Sequence, residues 1–198
     1  MSKNLEFSSK EKIQKIALKN EKFRNFLKEI NDEDINFEDL EAVNNTYKDF
    51  DIFVHDGELK FDSDLYMIQE GGFYFINGDL TVNGFIQCYG ATVFCVNGSI
   101  TASQILFSED TYIEKDVIVN EAYFVDTDLN LTVNGELKAD FIYSSINTGK
   151  ININLLDSNT KGVIVRDSYD EMGYPEILEN LGLKEVTEDE DYEWHLTV

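Results

Sequence analysis

Hydrophobic and polar residues alternate with period two through four closely related stretches. These are FYFINGDLTVNG at 73–84, VFCVNGSITAS at 93–103, YIEKDVIVNEA at 112–122 and LNLTVNGELKAD at 129–140. Period-two alternation predicts a strand with one buried face. Within each copy the inward set is apolar, as in Ile76, Leu80, Val82 and again Val96, Ile100, Ala102. The outward set (Asn77, Asp79, Thr81; Asn97, Ser99, Thr101) is polar. Anchored on Gly78, Gly98, Asp116 and Gly135, the copies recur about every 18–21 residues, and a weaker copy, HDGELKF, places Gly57 one period earlier. One such coil cannot bury its inward row alone, so coils must stack into a common core. A β-sandwich of short strands also fits this spacing, but it does not require recurring side-chain identities. On this alignment Leu80, Ile100, Ile118 and Leu137 are expected to form one buried column, with glycine or Asp at the bend for a positive φ.

Two copies break the polar-outside rule. FYFI at 73–76 and VFCV at 93–96 are apolar on both parities, so Phe73, Phe75, Val93 and Cys95 would form an apolar patch needing a cover. The N-terminal segment supplies a candidate. Ser8 with Glu11 reads as a capping box, and Ile13, Ile16, Ala17, Phe23, Phe26, Leu27 and Ile30 follow at helical spacing up to Asn31. This predicts one long helix whose Ile13–Ile16–Phe23–Leu27 stripe docks on the patch, and a second short helix over 37–44. After the repeats, ININLLDSNTKGVIVRDS continues as strand to about 166. Pro175 then opens a short helix ending at Gly182, and LKEV and WHLTV flank an acidic loop. The expected fold is mainly β. It is a short parallel β-helix, right-handed in expectation, with N-terminal helices and a small α/β C-terminal cap. The expected divisions are 1–50 (helical), 51–166 (solenoid) and 167–198 (cap).

Charge changes the picture. The chain of 198 residues carries a formal net charge of −23. Residues 1–28 hold eight basic residues against three acids, a net of +5, so the remaining 170 residues carry −28. A body of that sign repels nucleic acid and anionic membranes and favours basic partners. No run of about 18 apolar residues predicts a membrane span, and the N-terminus lacks the apolar centre of a secretory signal. Cys88 and Cys95, both within the repeats, read as reduced thiols of a cytoplasmic protein. With His55 or His195 they lack the spacing of a zinc site.

The phrase GDLTVNG at 78–84, varied as VNGSI and VNGEL, resembles the coils of bactofilins, polymer-forming cytoskeletal β-helix proteins. It is more similar to a looser set of uncharacterised bacterial β-helix proteins with coils of the form GDL-x-V-x-G and GDL-x-A, here GDLTVNG, GSITAS and GELKAD. Members of that set look like immunity or accessory proteins of polymorphic toxin systems. The resemblance covers residues 57–145. It implies a β-solenoid and a non-enzymatic binding protein that neutralises a cognate toxin, expected from the chain's charge to be basic, as a monomer or small oligomer. The alternative it implies is a bactofilin-like polymer-forming scaffold.

Catalytic chemistry has little material. His55 and His195 are the only histidines, and no Gly-x-Ser-x-Gly, Ser-x-x-Lys or Walker loop is present. Asp126 with Asp128, or Glu109 with Asp110, would be the carboxylate pairs of a polysaccharide-cleaving β-helix, but a −28 body repels an anionic polymer. Neither a catalytic residue nor a cofactor or metal site is expected. For partner binding the expected residues are Glu188, Asp189, Glu190, Asp191, Tyr192, Glu193 and Trp194, where acids and aromatics coincide, with Asp126 and Asp128 as a competing site.

Overall fold

The computed structural model describes residues 6–7, 9–31, 35–67, 71–88, 93–124, 128–144, 148–155 and 161–164. The repeats form a parallel β-solenoid whose rungs stack as three walls. The first wall runs β2 (Asp51–Asp56), β5 (Gly72–Asn77), β7 (Val93–Val96), β9 (Thr111–Ile113) and the start of β11 (Asp128–Ser144). The second begins at β3 (Leu59–Phe61) and continues through the first halves of β6 (Leu80–Cys88), β8 (Ile100–Phe107) and β10 (Val117–Phe124) into the middle of β11. The third begins at β4 (Leu65–Met67) and uses the second halves of the same strands. β12 (Thr148–Leu155) and β13 (Lys161–Ile164) add a further rung on β11. The two-residue strand β1 (Glu6–Phe7) lies antiparallel on β2.

Alternation explains the interior. Phe53, Tyr74, Ile76, Phe94, Val96, Ile113 and Val133 point inward from the first wall and meet Leu80, Ile100 and Leu137 from the second. The expected column holds at Leu80, Ile100 and Leu137 but is corrected in the third copy. Val117 pairs with Ile100 and Leu137 and is fully buried, whereas Ile118 is 46% exposed. Asp116 does not stand in the glycine position; Lys115 does, since its N–H bonds the Gly98 carbonyl and its own carbonyl receives Gly135 N–H. A one-residue slip of register reverses every side chain, which is why the misaligned anchor chose the wrong residue.

The role expected of glycine is corrected too. Positive φ occurs at Gly57 (+99°) and Gly71 (+71°) but not at Gly78, Gly98 or Gly135. Those three are needed because the previous rung passes too close. A Cβ on Gly98 would lie 2.3 Å from the Gly78 carbonyl oxygen, and one on Gly78 would lie 2.3 Å from that of Gly57.

The helical layer is built as two helices rather than one, α1 (Lys10–Lys19) and α2 (Glu21–Ile30), followed by α3 (Leu40–Thr46). Asn20 makes the break. Its side chain caps α2 by accepting the Phe23 N–H at 3.0 Å, and its amide donates to Glu114 of the solenoid at 3.1 Å. The chain distance of 94 residues puts that second contact beyond any local pattern. At the other end, Asn31 bonds the Leu27 carbonyl and the Tyr47 hydroxyl. Ile13, Ala17, Phe23, Phe26, Leu27, Val43 and Tyr47 pack on the outward residues Ile52, Val54, Phe73, Phe75, Val93, Cys95 and Tyr112. Phe23 contacts the rings of Phe75 and Tyr112 at centroid separations of 5.3 and 5.4 Å. Burying each such side chain stabilises by about 1.5–3 kcal/mol, enough to hold helices too short to persist alone. On the next rung the outward residues become Asn130, Thr132 and Asn134, at the limit of the apolar patch.

Candidate functional site

The expected partner-binding residues Glu188, Asp189, Glu190, Asp191, Tyr192, Glu193 and Trp194 lie outside the described residues, as do Asp126, Ser8 and the C-terminal cap. Asp128 opens β11, where its backbone pairs with Thr148. The other carboxylate pair considered for catalysis, Glu109 and Asp110, occupies the corner between β8 and β9. Glu109 offers its carbonyl to the Thr111 hydroxyl, and Asp110 receives the Asn130 amide at 2.8 Å.

Many carboxylates of the solenoid are tied into its frame. Asp64, Asp79 and Asp116 each accept a backbone N–H from the next rung, those of Phe85, Ser99 and Glu136, at 2.8, 2.8 and 3.0 Å. Asp56 accepts Lys12 of α1 at 2.6 Å and Asn77 at 3.1 Å. The Lys12 hydrogen bond, supplemented by that of Asn77, holds the Asp56 carboxyl below its ordinary range. Asn97 continues the ladder by donating to Asn77 at 2.9 Å. These acids add charge to the surface and join successive rungs, a double role that composition does not reveal.

A second cluster anchors the helices. The buried Tyr112 donates its hydroxyl to Glu114, Asn134 donates to Tyr112 at 2.9 Å, and Asn20 completes the group. Burial, then the Glu114 carboxylate, pushes the Tyr112 phenol well up. Cys88 lies inside the solenoid and Cys95 under the helices, both as free thiols. Burial raises both, with Glu109 adding to the effect on Cys88 and Asp110 to that on Cys95. Neutral, enclosed thiols of this kind are poor nucleophiles and poor metal ligands. Among the described residues no group of three or more His, Cys, Asp or Glu is placed to hold a metal ion, and no helix is long and apolar enough to cross a membrane.

The three walls present different outer surfaces. Helices cover the first. The second shows Lys60, Thr81, Thr101, Ile118 and Lys138 in register. The third carries two columns that the sequence reading did not single out. Tyr66, Gln87, Leu106 and Tyr123 align in one, and Phe85, Gln104, Glu121 and Phe141 in the other. Tyr66 is 53% exposed and meets Phe85 edge-on at 6.3 Å. Glu121 accepts Gln104 at 2.8 Å and the Tyr123 hydroxyl, both at Oε2. The signal was present as a large or polar residue two apart in each copy (Phe85/Gln87, Gln104/Leu106, Glu121/Tyr123), but only stacking brings these pairs together.

Fold and surface define a parallel β-solenoid protein with one wall covered by its own N-terminal helices. Comparisons with protein-family models, with curated proteins and with solved structures found no match.

Proposed function

We propose that this protein is a non-enzymatic binding protein, an immunity protein that neutralises a cognate basic bacterial toxin by occupying its surface. The carrying observation is charge: −23 overall and −28 beyond residue 28, on a scaffold of regular rungs. A field of that size speeds encounter with a cationic protein, and a stiff scaffold loses little conformational freedom on binding. The basic N-terminal segment is engaged with the solenoid, where Lys12 pairs with Asp56, so it leaves the acidic character of the remaining surface largely in place. The two free, buried thiols support a reducing, cytoplasmic setting.

The competing reading is a polymer-forming scaffold like a bactofilin. Such polymers stack end to end through open end rungs. Here β1 lies antiparallel along the outer edge of β2, with Glu6 opposite Val54 and Phe7 opposite Phe53, and occupies one strand edge that stacking would use. That favours the binder.

The test is co-expression with the product of the adjacent gene, followed by purification. Rescue of growth, together with a stable complex whose association slows as salt rises, is the expected result. Unrelieved toxicity with no complex would overturn the immunity reading, and filaments in electron micrographs of the isolated chain would favour the scaffold.

A further inference from the structure

We propose that the outward surface of the third wall, centred on Glu121, is the docking surface for a basic protein partner, with an arginine side chain of that partner seated on the Glu121 carboxylate. This rests on the reading of the chain as a binder of basic proteins and assigns the surface that does it.

The register sets the geometry. Phe85, Gln104, Glu121 and Phe141 occupy one outward column on successive rungs, about 4.8 Å apart, beside Tyr66, Gln87, Leu106 and Tyr123 in the neighbouring column. Tyr66 is exposed, Phe85, Gln87, Gln104, Glu121, Tyr123 and Phe141 are half-buried, and Leu106 is buried, so packing restricts most of the strip. Side chains ordered in advance lose little entropy on binding, and tyrosine is enriched among residues that carry interface energy.

Glu121 sits within this aromatic strip with its acceptors unevenly used. Gln104 and Tyr123 both donate to Oε2, and among the described residues none donates to Oε1. Those two donors fix the carboxylate's orientation. A guanidinium bonding Oε1 would lie beside Phe141, the register partner of Glu121 on the adjacent rung, where a cation–π contact can add to a charge-assisted hydrogen bond. Asp64, which accepts the Tyr66 hydroxyl at 3.1 Å, places a second carboxylate at the edge of the strip. Among the described residues, no outward position of this wall from Tyr66 to Phe141 is Lys or Arg. The second wall, by contrast, presents Lys60 and Lys138. Aromatic area, an oriented carboxylate and absence of opposing charge thus coincide on the third wall.

The experiment uses the full chain and an oligo-arginine peptide at low and moderate salt, with affinities from fluorescence anisotropy. Glu121→Gln is expected to weaken binding at least about five-fold, while the control Glu136→Gln, exposed on another corner, stays within about two-fold. Tyr66→Ala, at an exposed site, should also weaken binding with an unchanged melting temperature. Equal small losses for Glu121→Gln and Glu136→Gln would mean diffuse charge binding and would overturn the surface while sparing the basic-partner reading. No binding even at low salt overturns both. A photocrosslinker replacing Tyr66 supplies the last arm. Crosslinks to the peptide are expected, whereas crosslinks only to residues 165–198 of the same chain, undisturbed by peptide, would show the wall to be covered internally and overturn the proposal.

Discussion

The Asp79 carboxylate receives the backbone N–H of Ser99, twenty residues later, at 2.8 Å. Gly98, beside that bond, has no room for a side chain, because a Cβ there would lie 2.3 Å from the Gly78 carbonyl oxygen and 2.6 Å from Asp79 Oδ1. A carboxylate acceptor and a missing Cβ together let one rung settle on the next. Asp79→Ala is expected to cost about 1 kcal/mol, with Asp79→Asn keeping most of the bond. Gly98→Ala should cost about 1–3 kcal/mol through overpacking against backbone that cannot yield. Urea midpoints of the three variants check both values. A neutral Gly98→Ala would mean that the rungs stand further apart than described.

The register of the third copy predicts opposite outcomes for adjacent residues. Val117→Ala removes a fully buried side chain and is expected to destabilise by about 1–3 kcal/mol, whereas Ile118→Thr, at an exposed position, should stay within about 0.5 kcal/mol. The same contrast is expected between Leu80→Ala, at about 2–5 kcal/mol, and Thr81→Ala. Thermal melts of the paired variants decide it.

Docking of the helices should appear as energetic coupling. Phe23 of α2 and Phe75 of β5 touch at a centroid distance of 5.3 Å and an interplanar angle of 56°. A double-mutant cycle with Phe23→Leu and Phe75→Leu is expected to give a coupling of about 0.5–1.5 kcal/mol. The single variants should also raise binding of a hydrophobic dye. Additive effects would mean that the helices contribute to stability independently of the patch beneath them.

Tyrosines set the alkaline limit. Burial raises the phenols of Tyr47 and Tyr112, and burial followed by Glu121 pushes Tyr123 up to about 12. A raised folded value means that the unfolded chain loses these protons first. The stabilisation is therefore complete below the ordinary phenol value of about 10 and is lost as pH rises through the folded values. Stability measured by denaturant midpoint should fall above about pH 10, with a shallower slope in Tyr47→Phe, which removes one of the titrating groups. An unchanged slope would place Tyr47 in contact with solvent.

The sequence by itself determined which side of the strand faces the core in every copy but the one at 112–122. Leu80, Ile100 and Leu137 point inward and Thr81 and Thr101 outward, because alternation records burial within a few residues. It also marked Phe73, Phe75, Val93 and Cys95 as a patch requiring a cover and supplied that cover in Ile13, Phe23 and Leu27, since apolar area facing outward has to be buried by something. Tertiary structure decided the rest. Pairing between residues 17–21 apart chose Val117 over Ile118, turned Asp79 and Asp116 from surface charge into joints between rungs, and made Gly78 and Gly98 glycines of close approach. Asn20, at the helix break, meets Glu114 only in the folded chain, and the strip around Glu121 exists only where separate copies lie side by side. Local patterns encode which face of a strand is wet or dry; which residues meet across rungs depends on loop lengths and register, and a single-residue shift in either exchanges the two faces.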